Sequence, residues 1–317
     1  MIMIMTHNTL HTRCALCNSD DASVICRTAA LKSGEVRDVT NVICNRCGLI
    51  YNNPMPSGAA LREYYQGEFA QDKIGRPGAT ETQYDKILAS MSEGSSSKTD
   101  RIADWLSLFL TTRSRVLDVG CGTGTLLASI RWRSGCDVYG VEPDELMARA
   151  AREYHGIPSI TTGFMEEYSP PVDMRFDLII LRHVLEHLRD PNAAIEKIKS
   201  WLVPNGYLYF AFPNAANFSR SRPLNRCLEF GHLHSFTPFT TAQILLRHGM
   251  KIVQWRDDPL FLLETVATSI DNPIEAVAID ELRESGGSVR ELKRKMRLQP
   301  ARHFLFRCRR KARSFLS

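Results

Sequence analysis

Residues 116–124 read Val-Leu-Asp-Val-Gly-Cys-Gly-Thr-Gly, a short apolar strand that ends in three glycines at alternate positions. The pattern predicts a strand over residues 115–119 and a helix that begins at about Thr125. Glycine has no Cβ, so the backbone between them can turn sharply and lie against a ligand. Ligands of parallel α/β sheets bind outside the carboxyl ends of the strands. The stretch therefore predicts a ligand-binding loop at a strand end.

The spacing of these glycines excludes two common nucleotide loops. The dinucleotide pattern G-x-G-x-x-G needs a glycine where Thr125 stands, and the phosphate loop needs a lysine that is absent here. The alternate spacing suits a ligand with an amino-acid tail and no phosphate. The pattern acidic-x-G-x-G-x-G resembles motif I of class I S-adenosylmethionine (SAM)-dependent methyltransferases. This resemblance predicts a methyltransferase that uses SAM.

The resemblance also implies which residues hold SAM. The glycine loop would pack against its methionine part, with Asp118 near the ammonium group. Glu142 ends the next predicted strand, where an acid can accept hydrogen bonds from both ribose hydroxyls. The segment after the third strand flanks adenine in this family. The SAM-binding residues predicted in this way are Asp118, Gly120, Cys121, Gly122, Glu142, Pro143, Phe164, Met165 and Arg182.

Strands and helices alternate after the glycine loop, which predicts an α/β fold. We expect a Rossmann-like, seven-stranded, mostly parallel sheet with helices on both faces, a small N-terminal zinc-binding segment and a basic helical tail. The predicted divisions of the chain are 1–57 (zinc-binding segment), 58–97 (linker or lid), 98–270 (SAM-dependent methyltransferase domain) and 271–317 (tail).

Two Cys-x-x-Cys pairs near the N-terminus predict a metal site. Cys14 and Cys17 form the first pair, and Cys44 and Cys47 form the second. Four thiolates in two tight turns match the tetrahedral geometry of structural zinc. Two unrelated pairs of buried or redox-active cysteines are the alternative. A closed zinc site of this kind serves folding rather than chemistry.

The segment 213–238 is the candidate acceptor-binding loop. It ends in Glu-Phe-Gly-His-Leu-His-Ser-Phe, which resembles the Glu-His-Leu-x-Tyr-Phe-Ser stretch of sugar C-methyltransferases that carry an N-terminal zinc segment. The resemblance places the catalytic base at His232, with His234 as the second choice. Gly231 and Ser235 depart from that family's pattern. Arginine forks match phosphate and carboxylate groups, and the loop offers Arg220, Arg222 and Arg226.

A second candidate site follows the fourth predicted strand. His183, Glu186 and His187 stand at i, i+3 and i+4, so they share a face if this turn is helical. The stretch resembles the metal site of ubiquinone-pathway and small-RNA 2′-O-methyltransferases, where the first position is Glu instead of His183. His183 is therefore a third candidate catalytic residue. The simpler interpretation, which we favour, is that Glu186 and His187 cap and brace the next helix.

Composition and charge limit the remaining classes. The chain has 317 residues, 44% hydrophobic and 24% charged, which is typical of a globular protein. Paired cysteines without a secretion signal favour a cytoplasmic location. Residues 288–317 hold eleven Lys/Arg and one acid. This basic tail could contact an anionic membrane peripherally. The aromatic pattern of RNA-binding modules is missing, so nucleic acid is not an expected partner.

The sequence therefore predicts an enzyme that transfers a methyl group from SAM to a small molecule. The zinc-plus-methyltransferase layout favours a sugar or nucleotide-sugar acceptor, which can carry a phosphate, in polysaccharide or natural-product biosynthesis. Two alternatives stay open. One is a metal-dependent O-methyltransferase that uses His183, Glu186 and His187. The other is a SAM-binding protein without catalysis that binds a partner or a membrane.

Overall fold

A seven-stranded sheet forms the centre of the chain. The computed structural model describes residues 9–31, 33–65, 82–92, 97–218, 223–257 and 262–269. The strand order is β12-β13-β10-β9-β6-β7-β8. β6 to β10 are parallel, while β13 pairs antiparallel with both β10 and β12. The strands are β6 (Arg115–Val119), β7 (Asp137–Glu142), β8 (Ile160–Thr162), β9 (Phe176–Arg182), β10 (Leu202–Pro213), β12 (Met250–Asp257) and β13 (Leu262–Ser269).

Helices cover both faces of this sheet. One face packs against α3, α4 and α5, and the other packs against α6 and α8. Strands that are covered on both faces have near-continuous apolar runs, because their side chains are buried on both sides, and Phe176–Arg182 is an example. The helices are α1 (Gly58–Glu63), α2 (Gln83–Ser92), α3 (Ser97–Ser107), α4 (Thr125–Ser134), α5 (Glu145–Glu153), α6 (Pro191–Trp201), α7 (Leu224–Cys227) and α8 (Pro238–Arg247).

A second sheet joins the N-terminal segment to the loop that follows β10. Its order is β11-β4-β3-β2, in which β2 (Ala22–Ala30), β3 (Val36–Cys44) and β4 (Ile50–Asn52) come from the N-terminus and β11 (His234–Ser235) comes from the loop. β1 (Thr9–Leu10) pairs separately with β5 (Met55–Pro56). The Asn52 N–H also donates a hydrogen bond to the Leu233 carbonyl oxygen at 2.9 Å. The candidate acceptor loop is thus the edge of the N-terminal sheet.

The predicted fold class is confirmed. The parallel strands, the antiparallel pair at one edge and the helices on both faces lie where the alternation predicts them. The second sheet was not predicted, since β2 and β3 show no strict alternation of exposed and buried residues. Within the described ranges, no helix has the length and apolarity needed to span a membrane. The basic tail, Arg220, Arg222 and half of the predicted lid lie outside those ranges.

Candidate active site

A cavity of about 910 Å³ opens at the carboxyl ends of β6, β7 and β9. This edge is where the strand order turns, the usual ligand position in open α/β sheets. The glycine loop and the ends of these strands line it, together with α1 and residues 182–190. All of the predicted SAM-binding residues line it: Asp118, Gly120, Cys121, Gly122, Glu142, Pro143, Phe164, Met165 and Arg182.

The glycine loop has the backbone that its sequence predicts. Gly120, Gly122 and Gly124 all have positive φ angles, of 70°, 55° and 75°. A Cβ on Gly120 would lie 2.6 Å from Val184, and one on Gly124 would lie 2.8 Å from the Ala151 side chain. A Cβ on Gly122 would meet no atom within 4 Å. Two of the glycines therefore serve close packing, and Gly122 leaves open space toward the cavity.

Glu142 is held at the end of β7 by backbone groups. Its Oε2 accepts a hydrogen bond from the Gly122 N–H at 2.7 Å, and its Oε1 accepts one from the Asp144 N–H at 3.0 Å. The side chain is buried, yet it lines the cavity. These backbone contacts fix a carboxylate at the cavity wall, and a carboxylate is a group that accepts hydrogen bonds from ligand hydroxyls.

Asp118 is a buried carboxyl with an unsatisfied atom. Its Oδ1 has no hydrogen-bond partner among the residues described, although the residue lines the cavity. Burial raises the pKa of Asp118 to about 8; Arg182 opposes this shift, and Glu142 adds to it. An orphaned acceptor of this kind fits a ligand that brings a donor or a positive charge. The ammonium group of SAM has both properties.

Tyr65 and His187 also line the cavity. The His187 Nδ1 lies 2.9 Å from the Gly231 carbonyl oxygen and 2.7 Å from the Tyr65 hydroxyl. A carbonyl oxygen can only accept, so these neighbours assign the proton of a neutral ring to Nδ1 and leave Nε2 with the lone pair. Burial raises the pKa of Tyr65, which keeps its hydroxyl neutral. His187 is thus oriented to accept a proton or a metal through Nε2.

The three predicted catalytic histidines are placed differently. His183 lines the cavity with a φ of 58°, and its Nδ1 is 3.4 Å from Glu186 Oε1. His232 is buried behind His187, with ring centroids 4.7 Å apart, and it is not among the lining residues. His234 lies in β11, and burial lowers its pKa to about 4. His234, like His232, is therefore not among the residues that line the cavity, whereas His183 is.

The metal-ligand set predicted after β9 changes composition. The ligand atoms of Glu186, His187 and His232 lie within 4.8 Å of one another, so His232 replaces His183 in the group. Only residues 185–187 form a short 3-10 helix, which His183 precedes. The favoured capping role is also corrected. The N-cap of α6 is Asp190, whose Oδ1 accepts from the Asn192 and Ala193 N–H groups.

The four predicted zinc ligands come together in the N-terminal segment. Their sulfur atoms lie within 4.8 Å of one another, with Cys14 to Cys47 and Cys17 to Cys44 each at 3.4 Å. A tetrahedral zinc ion with bonds of about 2.3 Å spaces its sulfurs at about 3.8 Å, so the cluster fits that ion after a small expansion. The hydrogen bond with Cys47 lowers the pKa of Cys14 to about 5, while burial raises the pKa of Cys17 to about 11 and the contact with Cys14 raises that of Cys47. The protein alone thus favours one thiolate, and a bound cation would supply the charge that favours the others.

The first cysteine turn is fastened to the large sheet's helices. Asn192 Nδ2 donates to the Ala15 carbonyl at 2.8 Å, and Arg247 Nη1 donates to the Leu16 carbonyl at 2.6 Å. Leu16 and the cysteines share a core with α6 and α8. These contacts join α6, which begins beside the cavity, to the predicted zinc turn.

Several cavity residues have no counterpart in the sequence prediction. Arg62 and Tyr65 come from α1 and the turn after it, and Arg189 follows the short 3-10 helix. No local motif marks them, since their shared position depends on α1 packing over the end of β9. Arg226, by contrast, lies beside Gly34 of the small sheet and does not line the cavity.

The part of the chain that contains the glycine loop and Glu142 matches a known family. The family model described as "Methyltransferase domain" matches residues 91–255. The chain is similar to the ubiquinone biosynthesis O-methyltransferase of Bordetella avium (strain 197N), with 33% identity over 108 residues, 32% of this chain and 43% of that protein. It is also similar to the biotin biosynthesis bifunctional protein BioCD of the same organism, with 31% identity over 115 residues, 35% of this chain and 24% of that protein. The chain spans less than half the length of these curated relatives.

Two solved structures are similar at low identity. Magnesium protoporphyrin IX methyltransferase (ChlM) from Synechocystis PCC 6803 with bound SAM has 17% identity and a TM-score of 0.45, over 67% of this chain and 96% of that chain. The plantazolicin methyltransferase BpumL in complex with S-adenosylhomocysteine has 15% identity and a TM-score of 0.48, over 67% and 94%.

The prediction of a methyltransferase is confirmed by the family match, which includes the glycine loop, Glu142 and the loop after β9. The match spans more than half of the chain, so this protein belongs to the methyltransferase domain family.

Proposed function

We propose that the protein transfers a methyl group from SAM to a small-molecule acceptor bound in the same cavity. The observation that carries the proposal is the lining of this one cavity. The glycine loop, Asp118 and Glu142 line it together with His187 and Tyr65. SAM supplies an electrophilic methyl group when bound. The barrier to methyl transfer falls when the acceptor is held in line with that group, and a single cavity that holds both sets of residues supports this arrangement.

Each residue proposed to hold SAM has a separate role. Glu142 accepts hydrogen bonds from the ribose hydroxyls, and Gly122 leaves room for the methionine part of SAM. Asp118 offers its orphaned oxygen to the ammonium group. Phe164 and Met165 line the cavity beside the end of β8 and supply apolar contact for the adenine.

Asp118→Asn is expected to stabilise the free protein and weaken SAM binding. A raised carboxyl pKa means that the charged form is costly in the fold, so the stability contributed by protonation is lost as pH rises from about 4 through about 8. Removing the charge should gain on the order of 3 kcal/mol at pH 7. Unfolding temperatures and SAM titrations between pH 5 and pH 9 (about the range in which this carboxyl titrates) measure both effects. A variant that is less stable and binds SAM normally would contradict this role.

The proton of the acceptor passes to the histidine pair His187 and His232 in this proposal. His187 lines the cavity and has its Nε2 lone pair assigned by the Gly231 carbonyl, while His232, the base predicted from the sequence, packs behind it. The acceptor forms a bond to the methyl carbon, the sulfur–methyl bond breaks, and Nε2 takes the acceptor's proton. The buried Glu186 carboxylate, close to both rings, stabilises the resulting imidazolium.

We further propose that the acceptor is a sugar or nucleotide-sugar and that the cysteine cluster holds structural zinc. Support comes from the joint presence of the cluster and the loop 223–237 on one small sheet, the layout that resembles sugar C-methyltransferases. The experiment is transfer of labelled methyl from SAM to a panel of nucleotide-sugars, free sugars and catechol-type quinone precursors. Label in the nucleotide-sugars supports the proposal. Label confined to the catechols would reject the sugar, and label in none of them would reject this acceptor class.

A metal-dependent O-methyltransferase is the second candidate. It is favoured by one specific observation, the clustering of Glu186, His187 and His232 around a buried carboxylate whose two oxygens accept no hydrogen bond from the described residues. A mild chelator that leaves the cysteine-bound zinc in place, as checked by metal analysis, separates the two mechanisms. Unchanged methyl transfer would reject the metal, and loss restored by Mg²⁺ or Mn²⁺ would reject His187 as a simple base.

A further inference from the structure

Arg189 is a cavity-lining cation without a partner in the described structure. Its Nε is buried and makes no hydrogen bond, and no ion pair joins the side chain to another described residue. A guanidinium carries five N–H donors in a planar fork. Leaving such a buried donor unsatisfied costs about 1–3 kcal/mol, and more for a charged group. A side chain in this state is suited to a ligand that supplies the missing acceptors.

Two other cations that line the cavity are engaged by described residues. Arg62 Nη2 lies 2.6 Å from Glu167 Oε1, and its guanidinium stacks over the Phe164 ring at 4.5 Å. Lys197 Nζ donates to the carbonyl oxygens of Met165 and Glu166 at 3.1 and 2.7 Å. Arg182 Nε, like Arg189 Nε, makes no hydrogen bond to a described residue, but the Arg182 charge acts on the Asp118 carboxyl, whose pKa it lowers. Arg189 differs from all three because no described group engages it.

Arg189 lies beside the start of α1 and directly before the start of α6. Its Nη1 is 3.6 Å from the point that a Cβ on Gly58 would occupy, an ordinary contact distance, so the guanidinium packs against the start of α1. The next residue, Asp190, has its carboxylate occupied as the cap of α6. Arg189 is two residues from His187, and both side chains line the cavity. An anion bound by Arg189 would therefore share the cavity with His187.

We propose that Arg189 binds an oxyanion of the methyl acceptor, a phosphate or a carboxylate. This inference rests on the proposed function and narrows its substrate class to anionic acceptors. Guanidinium forks match both groups by paired, charge-assisted hydrogen bonds. The acids that line the cavity are Asp118, Glu142, Glu166 and Asp190. Asp118 and Glu142 are the acids proposed to hold SAM, Lys197 donates to the Glu166 carbonyl oxygen, and the Asp190 carboxylate caps α6.

The test measures binding of defined probes to protein saturated with S-adenosylhomocysteine. The probes are UDP-glucose, glucose 1-phosphate, 4-hydroxybenzoate and glucose, followed by calorimetry. Arg189→Gln should weaken the anionic probes about 10- to 100-fold, the value of a charge-assisted contact. Arg62→Gln, the matched control, should weaken them only a few-fold, because Arg62 is paired with Glu167. Binding of glucose should be absent in all three proteins. The phosphorylated probes and the carboxylate probe distinguish the two kinds of oxyanion.

Other readouts keep this test separate from folding and from the proposed function. The unfolding temperature of free Arg189→Gln should equal or exceed that of the unmodified protein, because a side chain without partners is removed. Its affinity for SAM should stay unchanged. The proposal is overturned if no anionic probe binds, if Arg189→Gln binds them as the unmodified protein does, or if SAM affinity falls in parallel. Intact SAM binding with failed probe binding rejects the oxyanion site alone.

Discussion

Cys44→Ser is expected to abolish zinc binding and to unfold the small sheet. Structural zinc contributes about 10–16 kcal/mol of apparent binding free energy in small zinc-binding domains, which becomes folding free energy. Cys44 ends β3, and its sulfur lies 3.4 Å from Cys17. β4 pairs with β11, which directly follows His232 and Leu233. Loss of the sheet should therefore also reduce methyl transfer by about 100-fold or more, because a shift of about 1 Å in the position of His232 is sufficient for such an effect.

Metal analysis, the unfolding temperature and amide exchange in residues 22–52 measure this prediction. Cys26→Ser is the matched control, since Cys26 lies in β2 of the same sheet, outside the cluster, and its thiol donates only locally to the Thr28 carbonyl. The control should keep its zinc and its activity. If Cys44→Ser retains zinc, or is as stable as the control, the cluster has no structural role.

His187→Gln is expected to lower kcat by about 100- to 10,000-fold, the range for removal of a general base. The acceptor identified with the labelled-methyl panel serves as substrate. SAM affinity should change by no more than a few-fold, because His187 is not among the residues proposed to hold SAM. Tyr65→Phe should have a smaller effect, since the Gly231 carbonyl still fixes the ring proton on Nδ1.

His11→Gln, at an exposed position far along the chain from the site, serves as the control and should behave as the unmodified enzyme. The assignment of the base would be wrong if His187→Gln kept its full kcat while His183→Gln or His232→Gln lost it. Loss of SAM binding in His187→Gln would instead indicate a structural role.

The SAM half of the site could be predicted because its residues are local. The glycine loop and Glu142 stand at the ends of adjacent strands, so strand spacing alone places them together. The cysteine cluster was predictable for a similar reason, since each Cys-x-x-Cys turn carries two ligands. In both cases each motif that predicts the site lies within a few consecutive residues.

The acceptor half depends on contacts between distant residues. Tyr65 meets His187 across 122 positions, and His234 pairs with Tyr51 of β4 in the N-terminal segment. No local pattern marks such contacts. The capping role was assigned to Glu186 instead of Asp190 for a related reason. Both are acids near the start of α6, and only the backbone after the 3-10 helix decides that Asp190 is the cap.

Calorimetric titration of the unmodified protein with SAM tests whether the cavity binds SAM. We expect one binding site with a dissociation constant in the micromolar range, about −8 kcal/mol. Glu142→Ala should lose about two orders of magnitude in affinity, because both ribose hydroxyls lose their acceptor. Glu145→Ala, an exposed acid on the next helix that pairs with Arg152, should bind as the unmodified protein does. No heat of binding at millimolar SAM, or identical titrations for all three proteins, would show that the cavity does not bind SAM through Glu142.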